Sequence, residues 1–270
     1  MPIKNFSPVV LLALLAGCGW NNLPQQDTHY LDDELWDPNG VVPTEDGLYV
    51  PLPLAGGVAL VPQSGEATRI DIGEGNITRL TPSPDDKTII AILERYTCDE
   101  DDPKLARKIK VPDDCDAEDL VVHTELNVIS NGEISSEIDV KSQFNTVEFS
   151  DDGRFAIAYL DFSQGDVVLS GVVDLTSVMV LDVLDGTSTP VTVGFSANKV
   201  LFTYDENEQA ERAVVLSENS VAVVDLFEET PVLDVTFPLT LDPDSNVVPV
   251  GVELTPDGQY ALISVEKRSD

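Results

Sequence analysis

From residue 45 onward the chain alternates short apolar, β-branched runs with Gly, Asp, Asn, Ser and Pro. The runs include GGVALVP, ATRIDIG, KTIIAIL, TELNVIS, TVEFS, RFAIAYL, SVMVLDV, PVTVGF, KVLFTY, RAVVLS, SVAVVDL, VLDVTF, VGVELT and QYALISV. Many hold four to seven residues, which is strand length, and Val, Ile, Thr and Phe fill a pleated, half-buried surface well. No sustained helical periodicity accompanies them, so the pattern predicts an all-β chain. Residues 18–44 are polar and rich in Pro, Asn and Asp, and they read as a tether ahead of the domain at 45–270.

The runs repeat. ITRLTPSPDDKTIIAIL (77–93), NTVEFSDDGRFAIAYL (145–160) and GVELTPDGQYALISV (251–265) share a plan of strand, Ser/Thr-Asp-Gly-like turn and second strand. Asp152-Gly153 and Asp257-Gly258 supply the positive φ that such a turn needs, whereas Asp85-Asp86 departs from it and predicts a different turn. KVLFTYDENEQAERAVVLS (199–217) is a degenerate copy, anchored on Thr203 where the others have Ser83, Ser150 and Thr255. Two further strands follow each hairpin. Four antiparallel strands in a repeat of roughly 40 to 50 residues is the signature of a propeller blade.

SVAVVDLFEETPVLDVTFPL followed by VPVGVELTPDGQYALISV resembles the YVTN-type β-propeller repeat, related in style to WD40-like blades. The resemblance covers about residues 46–270 and implies an architecture rather than an activity. GGVALV and ATRIDIG read as the last two strands of a blade whose first two are the C-terminal GVELTPDGQYALISV. Such a composite blade would close a ring of four. The rival expectation is a piece of a larger propeller, with strand edges left unpaired.

The first residues, MPIKNFSPVVLLALLAGCGW, have a basic Lys4, an apolar stretch from Val9 to Ala16 and then small residues. That is the anatomy of an export signal at 1–17, too short to span a bilayer. Leu15-Ala16-Gly17-Cys18 resembles the bacterial lipobox, which implies diacylglycerol on the Cys18 sulfur and cleavage before it. An ordinary signal peptide with an incidental cysteine is the alternative. Gly19 resembles the residue found in lipoproteins sent to the outer membrane, so the expected location is the cell envelope, on its periplasmic or outward side. Each buried lipid methylene contributes about 0.8 kcal/mol, so several acyl chains anchor a protein stably to a membrane.

Composition then narrows the partners. The chain carries a formal charge of -34, which excludes ordinary nucleic-acid binding through phosphates. A solvated acidic surface, cation binding or a salty habitat are its possible meanings. The hydrophobic fraction of 42% argues for a packed core rather than the disorder such a charge otherwise suggests. With Cys18 given to the lipid, Cys98 and Cys115 remain as a pair. In an exported chain they suggest a disulfide, worth about 3 kcal/mol for a loop of that length, with two free thiols as the alternative.

No G-x-S-x-G, H-E-x-x-H, P-loop or dinucleotide fingerprint is present, so the expectation is a non-catalytic module without a cofactor. His29 reads as solvated in the tether and His123 as a satisfied structural histidine in a strand. Long segments at 96–121, 161–176 and 240–249 fall where propeller loops share one face. The first holds Lys104, Arg107, Lys108 and Lys110 between acidic runs, with Asp102 and Pro103 placed to start a short helix. It reads either as a self-neutralising surface loop or as a finger recognising a protein or glycan. Asp242, Asp244 and Asn246 have the alternate spacing of calcium loops but lack the glycine and distal glutamate, so they are weak candidates. The alternatives to a binding or scaffold module are an envelope enzyme of lactonase-like or quinoprotein-like type, and a fragment with no function of its own.

Overall fold

The computed structural model describes residues 40–52, 56–73, 75–98, 120–140, 142–163, 174–227, 230–240, 242, 246–255 and 260–268. These residues form antiparallel sheets taken in chain order. The first sheet is β1 (Val42–Pro43), β2 (Gly47–Leu52), β3 (Gly57–Pro62) and β4 (Thr68–Asp71). The second is β5 (Asn76–Pro82), β6 (Thr88–Thr97), β7 (Val121–Ser130) and β8 (Glu133–Val140). β9 (Thr146–Phe149), β10 (Phe155–Tyr159), β11 (Ser177–Asp182) and β12 (Thr187–Thr192) make the third. The fourth comprises β13 (Lys199–Tyr204), β14 (Ala210–Leu216), β15 (Ser220–Asp225) and β16 (Val232–Pro238), and β17 (Asn246–Leu254) pairs with β18 (Ala261–Arg268) in a fifth. In every sheet each strand lies beside its chain neighbour, which is the meander of a propeller blade. The fold is a β-propeller type, as the strand pattern predicts.

The composite blade does not form. β3 and β4 take their partners from β1 and β2, and β17 pairs with β18 in a sheet of its own. Among the described residues the sheets do not close into a ring. The sequence hides β2 because proline is usually kept out of a paired strand. Pro51 is tolerated because β1 is two residues long and covers only Leu48 and Tyr49, so among the described residues no strand pairs with that edge of Pro51.

Alternation along the strands puts apolar side chains between successive sheets. Ile70, Ile72, Ile77, Ile89, Leu93 and Ile129 join the first sheet to the second. Ile90, Ile92, Leu126, Ala156, Ala158 and Leu181 join the second to the third. Between the third and fourth lie Ile157, Val178, Val180, Phe202, Ala213 and Val224. Val214, Leu216 and Val221 meet Val252, Ala261 and Ile263 of the fifth. Full burial of each large aliphatic side chain contributes about 1.5–3 kcal/mol, so the array is held by a series of such layers rather than by one central core.

The hairpin turns are more alike than their sequences suggest. Ser83 N–H donates to Thr88 O, Ser150 N–H to Phe155 O, Asp205 N–H to Gln209 O and Thr255 N–H to Tyr260 O. The degenerate copy is therefore anchored on Asp205 and not on Thr203. Gly153 has φ of 70° and Asp86, in the same place, 57°. Asp86 thus makes the turn that a glycine makes in the third sheet, and the expected difference is absent. A short polar side chain tolerates the left-handed region better than most.

Candidate functional site

Because the sheets are meanders, the connection after a second strand and the connection to the next sheet leave from the same strand ends. The connections 98–120, 160–176 and 239–245 are of these two kinds. The short turns after first and third strands lie at the other end, where they touch across sheets. There Ala210 N–H donates to Asp152 Oδ2 at 2.8 Å, Asp151 N–H to Tyr204 Oη at 2.7 Å, and Ser136 Oγ to Gly186 O at 3.4 Å. Lys104, Arg107, Lys108, Lys110, the Asp102–Pro103 helix start and Cys115 lie outside the described residues. So do Cys18 with the whole of 1–39, Asp244 and the Asp257-Gly258 turn. Cys98 is described, exposed and immediately after β6.

What is described of the long connections is firmly seated. Asp161 is buried, and its carboxylate accepts Ser163 N–H at 2.8 Å and Ser163 Oγ–H at 2.9 Å. Its backbone is clasped by Asn145, which donates Nδ2–H to Asp161 O and accepts Asp161 N–H on Oδ1. At the returning end the Asp174 carboxylate accepts Thr176 N–H, Thr176 Oγ1–H and Ser177 Oγ–H at 2.6–2.8 Å. These bonds, chiefly those from Ser177 and Thr176, hold the Asp174 carboxyl below the usual range. The 98–120 connection starts and ends on a small apolar seat of Tyr96, Leu120 and Val122, beside the Arg95–Glu125 ion pair at 2.7 Å. The same strand ends carry charges of both signs: Arg79 of β5 and Lys199 of β13 lie within electrostatic reach of Glu148 on β9.

Beneath the 98–120 seat sits a buried acid. Glu94 is 7% exposed and accepts a hydrogen bond from Tyr96 Oη at 2.7 Å. Burial pushes the Glu94 carboxyl up from its ordinary value, and burial and the Glu94 charge push the Tyr96 phenol up as well. Since folding favours the protonated carboxyl, this group's contribution is fully present below the ordinary carboxylate range. It is lost as pH rises through the raised value. Glu94→Gln keeps an acceptor for Tyr96 and removes the buried charge. It is expected to stabilise the protein by about 1 kcal/mol near neutral pH and to change little near about pH 4, as read by urea unfolding at the two pH values.

At the opposite end a cleft of about 280 Å³ lies between the third and fourth sheets, lined by Arg154, Asp182, Asp185, Thr187 and Phe227 among others. Arg154 donates from Nε and Nη2 to Asp182 Oδ2 at 3.2 and 3.0 Å and lies 4.8 Å from the centre of the Phe155 ring. The guanidinium is thereby fixed as a wall of the cleft. The arrangement is a polar recess able to receive one small hydrogen-bonding group. The repeats held no signal for it, because Arg154 and Phe227 come together only when two sheets pack.

Asp242 is exposed and Asn246 begins β17, and among the described residues no group of three His, Cys, Asp or Glu side chains is placed to hold a metal. His123 lies in β7 as expected and is half-buried, but its Nε2 is buried with no hydrogen-bond partner. The fully satisfied histidine read from the sequence is therefore not what forms at Nε2, although Arg95, a donor, lies opposite it across the strand pair. Among the described residues no helix is long and apolar enough to cross a membrane.

No family model matches the chain, and no curated protein matches it. Solved structures do. The chain is similar to hydrazine synthase of Kuenenia stuttgartiensis, with 14% identity, 86% of this chain and 72% of that chain covered and a TM-score of 0.43. It is similar to the dihydro-heme d1 dehydrogenase NirN, with 13% identity, 81% of this chain and 39% of that chain covered and a TM-score of 0.46. A periplasmic gluconolactonase of Pseudomonas aeruginosa is similar at 13% identity over 82% of this chain and 62% of that chain, with a TM-score of 0.38. At such identities these likenesses concern the fold.

Proposed function

We propose that the chain is a lipoprotein of the cell envelope, anchored through a lipid on Cys18, probing its surroundings with a propeller that binds or scaffolds a protein or glycan without catalysis. The observation that carries the binding reading is the layout of the connections. The long ones leave from one end of the strands, and the 161–176 connection is held at its start by Asn145 on the Asp161 backbone and at its return by the Asp174 carboxylate. Binding loops on a rigid scaffold are a recurrent way to build a recognition face. A disulfide between Cys98 and Cys115 would close a loop whose sequence holds Lys104, Arg107, Lys108 and Lys110. The excess of acid over base elsewhere makes such a basic segment the chain's own exception.

Two experiments test this. Cys18→Ala should abolish incorporation of radiolabelled palmitate and move the protein from the membrane to the soluble fraction of envelope extracts. Unchanged labelling would remove the anchor from the reading. Deletion of 96–121 should eliminate a partner captured by the wild-type chain from envelope extract; an unchanged partner set would remove the finger. Chelator-sensitive hydrolysis of lactones by the purified chain would replace the binding module with an enzyme.

A further inference from the structure

We propose that the cleft between the third and fourth sheets is a binding site for one neutral sugar ring, a pyranose carrying an axial hydroxyl. The cleft lies at the short-turn end, on a different surface from the long connections, and the proposal goes beyond the loop-face reading.

The walls are fixed by bonds that the preceding sheet does not make. Arg154 and Lys87 hold the same place in their hairpin turns, since each gives its N–H to the turn aspartate, Asp152 or Asp85. Lys87 then folds back on its own turn, with Nζ 3.3 Å from Asp85 Oδ2. Arg154 instead crosses to Asp182, which accepts both Nε–H and Nη2–H on Oδ2. The turn oxygen left over, Asp152 Oδ2, accepts the N–H of Ala210 on the fourth sheet, and Ala210 lines the cleft. One change of partner thus sets a guanidinium in one wall and ties the opposite wall to it. A site ordered before its ligand arrives loses less freedom on binding.

The lining decides the ligand. The floor is apolar, with Phe155, Val180 and Leu226 each 4% exposed or less. Around it the third sheet presents Arg154, Asp185, Thr187 and Thr189. Among the described residues, Arg154 Nη1 and the Asp185 carboxylate make no hydrogen bond. Nη1 can only donate, the carboxylate can only accept, and the two threonine hydroxyls do both. Across from them the fourth sheet presents the Phe227 side chain, 54% exposed.

A cation cannot accept from Nη1. An anion meets Asp185 and the field of a chain with net charge -34. A neutral ligand with several hydroxyls answers donor and acceptor alike, and its C–H face fits the electron-rich face of a phenyl ring. A nucleobase also stacks on an aromatic ring, but its polar atoms lie in its own plane. Stacked on Phe227, it would turn only a π face toward the wall of polar groups. A pyranose stacks through its C–H face and turns an axial hydroxyl to that wall. The cleft's volume of about 280 Å³ sits at the lower edge of the usual range for small-molecule sites, about 300–1,000 Å³. It therefore suits one ring rather than a chain of them.

The test uses the full chain, with methyl galactopyranoside and methyl mannopyranoside as probes followed by saturation-transfer NMR. Saturable binding of at least one is expected, with a dissociation constant on the order of 1 mM for a ligand of this size. Phe227→Ala and Asp185→Ala should each weaken it at least fivefold. Their melting temperatures should match the wild type, because both side chains are exposed. If one variant does not fold, the other carries the test. The proposal is overturned if neither glycoside binds saturably or if a folded variant binds as tightly as the wild type. It is also overturned if guanidinium or adenosine binds more tightly than the glycosides. Sugar binding lost on deleting 96–121 but kept in Phe227→Ala would place the sugar on the loop face. That result would overturn this inference and leave the loop-face reading standing.

Discussion

Phe202→Ala is expected to lower the unfolding free energy by about 3–5 kcal/mol, toward the upper end of the range for a truncated core aromatic. Phe202 is 4% exposed on the innermost strand of the fourth sheet, where it packs into the layer shared with the third. The surroundings explain why the cost should be high. Its cross-strand partner is Ala213, and Ala197, Ala210 and Ala222 belong to the same layer. An alanine has no side-chain rotamer with which to fill a vacated space, so the cavity persists. For a domain of this size the change corresponds to a fall in melting temperature of about 10 °C, measurable by circular dichroism. Ile157→Val, in the same layer, removes one methyl and should cost about 0.5–1.5 kcal/mol. A loss below that for Phe202→Ala would mean that the third and fourth sheets slide together to close the gap, and that the layer is less rigid than its packing implies.

Much of this architecture is legible in the sequence because each strand carries its own signal. β3 to β7 and β9 to β18 fall on apolar β-branched runs, and their order follows from short turns. β8 has no apolar run of its own, although Asn131-Gly132 marks the turn into it. Both residues have positive φ, 52° and 75°, which is the two-residue hairpin that Asn-Gly favours. The alternating EISSEID pattern that follows is too polar for a strand signal, since β8 buries mainly its last residues, Ile138 and Val140. β2 is masked in the sequence by its proline, Pro51. The ends of the array are open in the sequence, between a closing composite blade and unpaired edges, for a different reason. Strand runs say which segments pair locally but not whether a pair at one end seeks another at the far end. The cleft at Arg154 and the buried Glu94 were illegible too, because both depend on side chains that meet only after sheets stack. The exposed Val235 and Phe237 are a sharper case. In sequence they match the buried pair Val191 and Val193, and exposure separates the two only once the sheets are stacked.

Asp152→Ala is expected to destabilise the protein by about 2–3 kcal/mol, and the reason lies between sheets rather than within one turn. Asp152 Oδ1 accepts Ser150 Oγ–H and, at 3.1 Å, Arg154 N–H, which fixes its own hairpin. Its Oδ2 reaches across to accept the N–H of Ala210, a residue 2% exposed on the next sheet. Removing the carboxylate leaves that buried donor without its partner, and an orphaned donor costs about 1–3 kcal/mol. Asp85 in the preceding sheet is the control. It accepts Ser83 Oγ–H at 2.7 Å and Lys87 N–H at 3.2 Å, both in its own turn and partly in solvent. Asp85→Ala should therefore cost only about 1 kcal/mol. Those bonds hold the Asp85 carboxyl below its ordinary value, the one from Ser83 foremost. Its contribution is thus present above the ordinary carboxylate range and lost as pH falls through the lowered value. Asp152→Asn retains one acceptor oxygen and gains an amino group that cannot accept, so it can serve the turn or Ala210 but not both. An intermediate loss is expected. Equal losses for Asp152→Ala and Asp85→Ala in parallel urea titrations would show that the bond to Ala210 contributes nothing, leaving the apolar layer alone to hold the third and fourth sheets in register.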